Sequence, residues 1–251
     1  MELIRRLLAA IWKIWFAFFF IITFLVMYPF FLLFLQNQKW ISVVMILKRW
    51  WGGFSIFIAG IFMKRIYRTD RNKLPSNCIV VANHASYLDI IMTVHVVPFN
   101  VIFMGKAELL KVPLFNVFFK KLDIPVNRKS ATAAHQSLVR CGQELDKGRA
   151  VVIFPEGTIS NEGKLKAFKN GAFKLAIEKQ VPIVVVTYIS NWKLLQNGGF
   201  FKSFGRPGIA RAVIHPPIET KGMTEENLVS LRQHVYDLTA NTLEEFKKYS
   251  A

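Results

Sequence analysis

Cys78-Ile79-Val80-Val81-Ala82-Asn83-His84-Ala85-Ser86-Tyr87-Leu88-Asp89 carries an apolar run straight into a polar turn, and a second apolar stretch follows. The run reads as a buried strand, and the stretch over residues 86–97 as a helix that ends before Pro98. On one continuous helix His84 and Asp89 would sit roughly 140° apart, at about 3.6 residues per turn. They can meet only if His84 lies in the turn before the helix and Asp89 in its first turn. Ser86 supports that geometry, because Ser-x-x-Asp marks helix starts. Two readings stand on these residues alone: a base with its orienting partner, or an aspartate cap beside a turn-filling histidine.

Working outward, strands and helices alternate. Residues 71–77 form a turn-rich entry loop. Residues 101–104 read as a short strand, 105–110 as a turn opening a helix, 114–122 as a further helix, and 123–126 as a brief strand leading to Arg128. Ser130 can cap a helix running to Lys147, with Gly148 as its stop, and Leu138, Cys141 and Leu145 give it one buried stripe. The run 150–154 is continuously apolar and belongs in the centre of a covered sheet. A helix over 171–179, strands over 183–188 and 210–215, and a closing helix from Thr224 with Leu228, Leu231, Val235 and Leu238 on one face complete the pattern. The expected fold class is α/β: a mostly covered central β-sheet flanked by helices.

The N-terminal quarter differs. No charged residue occurs between Lys13 and Lys39, a stretch of about 37 Å as a helix against a hydrocarbon core of about 30 Å. It has no small-residue cleavage site, as a removable signal peptide needs, and Pro29 should kink it. A second apolar region over 41–63 is broken by Lys48 and Arg49 and loosened by Gly52 and Gly53. Positive residues flank the first segment on both sides, and Trp12, Trp15, Trp40, Trp50 and Trp51 suit the headgroup level. The expectation is a two-helix membrane-embedded hairpin dipping into one leaflet, with one full crossing as the alternative. Residues 1–66 form this anchor and 67–251 the α/β domain.

Of 251 residues, 53% are hydrophobic, with 23 phenylalanines, and the formal charge is +17. So basic a chain calls for anionic partners, lipid surfaces and phosphate-bearing molecules among them. Nucleic acid fits poorly, since the charge gathers on neither a recognition helix nor an aromatic platform. Cys78 and Cys141 have no metal-ligand spacing and read as reduced packing residues. No metal site is expected from the five histidines.

In covered sheets, sites gather where strands end. His84, Lys106, Arg128 and Glu156 each follow a strand, and could share one cleft. Glu156 comes directly after an apolar run, where a carboxylate is costly unless paired, and Gly157-Thr158 offers a close-approach backbone and a hydroxyl.

Together, Asn83-His84-x-x-x-x-Asp89, Arg128, Phe154-Pro155-Glu156-Gly157-Thr158 and Val181-Pro182-Ile183 resemble the four ordered blocks of the glycerolipid acyltransferases, most closely the bacterial 1-acylglycerol-3-phosphate (lysophosphatidic acid) acyltransferases. The second block departs from the family's form, in which Gly and Phe often precede the arginine. The resemblance implies that His84 and Asp89 are catalytic, with His84 as general base on a lysophospholipid hydroxyl. It implies acyl-CoA or acyl-carrier protein as donor substrate, no cofactor, and phosphatidic acid as product after sn-2 acylation. Lys106 and Arg128 suit the substrate phosphate, with Glu156, Gly157 and Thr158 completing the substrate-binding set. It also implies membrane lipids as surroundings and a catalytic domain on the cytoplasmic face, at the inner membrane if the chain is bacterial. Acylation of glycerol-3-phosphate or another lysolipid is the alternative within the class. A non-catalytic scaffold on anionic lipid is the alternative outside it.

Overall fold

The computed structural model describes residues 2–127, 130–160, 163–199 and 202–250. Two long helices open the chain, α1 (Glu2–Phe34) and α2 (Ile41–Ile58), followed by β1 (Ile61–Tyr67) and β2 (Ile79–Ala82). Then come α3 (Leu88–Val96), β3 (Val101–Lys106), α4 (Asn116–Lys121), β4 (Ile124–Val126), α5 (Ala131–Asp146) and β5 (Ala150–Ile153). The last part holds α6 (Gly171–Lys179), β6 (Ile183–Tyr188), α7 (Asn191–Leu194), β7 (Gly208–Ile214), α8 (Leu228–Glu245) and the turn α9 (Lys247–Ser250).

The strands form one seven-stranded sheet in the order β1-β7-β6-β2-β5-β3-β4. Every described pairing is parallel except β6 with β7. Every residue of β2, β5 and β6 is buried, as expected of parallel strands with helices on both faces. Alternation along β2 divides the core: Ile79 and Val81 pack with α5, α6 and α8, whereas Val80 and Ala82 pack with α3. The α/β expectation therefore holds, and β2, β5 and β3 run side by side with their C-terminal ends together.

Several bounds shift for local reasons. Helix α3 begins at Leu88, because the Ala85 and Ser86 amides are taken by the Asp89 carboxylate. Strand β3 extends through Gly105 and Lys106, which pair with Pro125 and Val126. Leu114 takes a left-handed φ of 64°, so α4 starts only at Asn116. The apolar region over 41–63 is not one helix. It turns at Gly60 (φ 70°), and residues 61–63 enter the sheet against Gly208–Ala210 of β7. The division expected after residue 66 thus falls inside β1.

Helices α1 and α2 are both long and apolar enough to cross a membrane, and only 17% of the apolar window of α1 is buried. Pro29 lies within α1 without ending it. The helix is held to the α/β domain along its length. Its buried Lys13 ammonium donates to the Ser203 carbonyl, and the Trp12 indole donates to the Ala59 carbonyl of the turn before β1 (2.9 Å). Further on, Phe24 and Phe31 meet Trp51 and Phe118, with Phe31 and Phe118 4.9 Å apart between ring centroids. Gly52 of α2 packs so close to α3 that a Cβ there would lie 2.9 Å from Ile91.

Candidate active site

Asn83 pins the end of β2. Its side-chain amide donates to the Tyr188 carbonyl (2.9 Å) and accepts the Tyr188 amide (2.7 Å), extending the β2–β6 ladder by one side chain. His84 follows in the turn, buried, its imidazole stacked on Phe154 at 4.0 Å between ring centroids. Its amide donates to Glu156 Oε1 (2.7 Å) and its carbonyl accepts the Ser160 amide (2.8 Å). Nδ1 lies 3.0 Å from Asp89 Oδ2. A carboxylate there makes Nδ1 the protonated nitrogen and leaves Nε2 as the basic one.

Asp89 has no exposure. Oδ2 also accepts the Ala85 and Ser86 amides (2.8 and 2.9 Å), and Oδ1 accepts the Asn191 side-chain amide (2.8 Å). One carboxylate therefore holds the imidazole and closes the first turn of α3, so the cap and the contact with His84 coexist. Ser86 adds its hydroxyl, which accepts the Leu88 amide (3.1 Å) and donates to the Leu195 carbonyl (2.7 Å).

Glu156 meets His84 through the backbone. Its second oxygen accepts the Lys166 amide (3.0 Å), so both oxygens are spent on backbone donors. Burial pushes its carboxyl up to about 7, against the pull of those two amides. Gly157 takes a φ of 75° and its amide donates to the Phe154 carbonyl (3.1 Å), closing the turn. Thr158 lines the cavity beside His84, and its hydroxyl accepts from the Lys166 ammonium (3.1 Å). Lys106 stands at the cavity wall, well exposed and 3.7 Å from Glu108. Arg128 lies outside the described residues.

The cavity encloses about 410 Å³. From His84 it runs among Phe20, Trp51, Ile91, Phe103 and Phe118. It also includes a buried ion pair that the sequence did not announce. The Lys48 ammonium lies 3.0 Å from Asp123 Oδ2 and 4.6 Å from the Phe118 ring centroid, and Asp123 Oδ1 accepts the Phe103 amide (3.1 Å). Asn191 was missed as well, although it follows β6 as the other site residues follow their strands. Among the described residues no three His, Cys, Asp or Glu side chains gather as a metal site requires.

The arrangement is a buried imidazole, held by a carboxylate, in the wall of a largely apolar slot. The family model described as acyltransferase matches residues 64–189, half of the chain. The chain belongs to the acyltransferase family. The crystal structure of the 1-acyl-sn-glycerophosphate acyltransferase PlsC from Thermotoga maritima superposes with a TM-score of 0.76 at 27% identity, covering 98% of each chain. Among curated acyltransferases, the chloroplastic 1-acyl-sn-glycerol-3-phosphate acyltransferase of Brassica napus is 30% identical over 76% of this chain and 54% of its own length. The 1-acyl-sn-glycerol-3-phosphate acyltransferase of Borreliella burgdorferi is 27% identical over 77% of this chain and 76% of its own. The chain therefore spans little more than half the length of the first of these curated relatives.

Proposed function

We propose that the protein transfers a fatty acyl chain from a thioester donor to the free sn-2 hydroxyl of a 1-acylglycerol-3-phosphate, giving phosphatidic acid. The observation that carries this reading is the buried His84–Asp89 pair opening on an apolar cavity of about 410 Å³. His84 Nε2 takes the hydroxyl proton as the oxygen attacks the thioester carbon. Asp89 holds the tautomer and favours the imidazolium that forms. The tetrahedral intermediate collapses by breaking the carbon–sulfur bond, and the imidazolium proton goes to the leaving thiolate. No covalent enzyme intermediate is needed. Acyl-CoA and acyl-carrier protein both supply such a thioester, and the cavity takes the acyl chain. Lys106 at the rim meets the acceptor phosphate as a point charge, and Arg128 has the two-pronged geometry for the same role. Thr158 borders the reacting centre. Glu156 and Gly157 act behind it by fixing the loop that carries Thr158.

The same reading places α1 and α2 in one leaflet, with the α/β domain on the cytoplasmic side. A helix held to that domain from Lys13 to Phe31 lies alongside it, and its exposed face of Leu3, Leu7, Ile11, Ile14 and Phe18 is left for lipid.

Purified protein assayed with lysophosphatidate and glycerol-3-phosphate as acceptors, and with CoA and carrier-protein donors, tests the proposal. Turnover of lysophosphatidate should fall by roughly 10² to 10⁴ in His84→Ala and in Asp89→Asn, with a cooperative thermal transition retained in both. Undiminished turnover by purified His84→Ala would defeat the mechanism.

A further inference from the structure

A second cavity, of about 660 Å³, shares no lining residue with the first. It lies between the first turns of α1 and the connection from β6 to β7. Its charged lining residues are Arg5, Lys193 and Arg206, the indoles of Trp12 and Trp192 also line it, and no carboxylate is among the described residues that do so.

The walls are fixed before anything binds. Gly205 lies so close to α1 that a Cβ there would stand 2.7 Å from the Trp12 ring. The neighbouring Ser203 receives the Lys13 ammonium on its carbonyl and, at 3.3 Å, on its hydroxyl. On the other wall, the Arg206 amide donates to the Leu194 carbonyl (2.9 Å), which ties the connection to α7. A preformed cleft of this size, with cations and amphipathic indoles together, suits a small anion carried on an apolar body.

The position selects the source of that anion. Arg5, Leu8 and Trp12 of the wall belong to the helix whose outer face exposes Leu3, Ile4, Leu7 and Ile11. On the interfacial placement of α1 proposed above, the groove opens at headgroup level. We infer that it binds the phosphate of an anionic phospholipid headgroup, with Lys193 and Arg206 as its principal cations.

Trp192 reports on the groove, and the difference between the emission of the full chain and that of Trp192→Phe isolates its signal. On phosphatidylcholine vesicles, adding phosphatidylglycerol should give a saturating change in that signal. In Lys193→Ala/Arg206→Ala the apparent affinity should drop roughly 30-fold, as expected for two basic residues near a charged surface. Arg206 is exposed, and Arg206→Gln repeats the test where the double variant fails to fold. An unchanged titration in a folded variant overturns the inference. So does an equal response to inorganic phosphate on vesicles of phosphatidylcholine alone, which makes the groove a soluble-anion site. No acyl donor is present, so the result is independent of whether acyl transfer occurs.

Discussion

At the scale of single residues, the site is a set of clamps around one imidazole. Asn191 is the clamp furthest along the chain, and its amide is one of four donors on Asp89. Asn191→Ala removes a hydrogen bond to a charged group, worth about 1.5–3 kcal/mol. We expect kcat to fall roughly ten- to a hundred-fold with KM for both substrates unchanged; a rise in KM alone would place Asn191 on a substrate instead. Glu156 sets a pH dependence. Its carboxyl sits at about 7 rather than the ordinary 4.5, so between those values the folded chain holds a proton that the unfolded chain has released. Stability therefore falls as pH rises through that window, by an amount of order 3 kcal/mol. Thermal unfolding in detergent across that range should show the slope in the native protein and lose this part of it in Glu156→Gln. His84 and Asp89 were legible because their spacing allows few geometries. The buried carboxylate of Glu156 was legible too, but its partners are backbone amides, which leave no mark in sequence. Asn191 touches Asp89 only through the fold, so no local pattern gave it away.

At the scale of elements, the join between α2 and the β3–β4 edge is a charge buried in an aromatic nest. Breaking one side of such a pair is costly because the remaining ion stays desolvated. Asp123→Asn should destabilise the protein by about 3–5 kcal/mol, read as a loss of thermal midpoint. Lys48→Met/Asp123→Asn should recover most of that loss, since no unpaired ion remains and Asn still accepts the Phe103 amide. If the double variant is no better than the single one, the pair contributes more than it costs. The sequence showed Lys48 only as an interruption of an apolar segment, and Asp123 only as the start of a strand. Gly52 read as a loosening residue, yet it lets α2 approach α3 closely. Helices α5 and α6 were legible to within a residue or so because Ser130, Gly148 and the apolar periodicity agree with the final packing. Residues 114–115 were not, because the left-handed turn at Leu114 falls on a residue that ordinarily avoids it.

At the scale of the whole molecule, the two N-terminal helices are part of the core. Phe24, Phe31 and Trp51 pack in the same cluster as Ile79 and Val151 of the sheet. Deleting residues 2–34 should therefore give an insoluble or unfolded product, judged by the absence of a cooperative thermal transition. A released, folded domain would contradict this. In sealed vesicles oriented with the α/β domain outward, an N-terminal tag should remain open to protease, whereas a protected tag would mean that α1 crosses. Composition made the apolar quarter plain, but it could not show that this quarter ends in a strand. That strand, β1, is an edge, and its one neighbour in the sheet is β7, with residue 61 paired to residue 208. The two apolar helices precede β1, whereas β7, its neighbour among the described strands, follows it by 147 positions (61 to 208). Closing so long a loop is slow. Lys64 and Arg65 are exposed on this edge strand, where charge disfavours pairing with another chain. The sheet is thus closed by a clasp whose two halves lie 208 − 61 = 147 positions apart in the chain, one of them carried by the helices that lead into it.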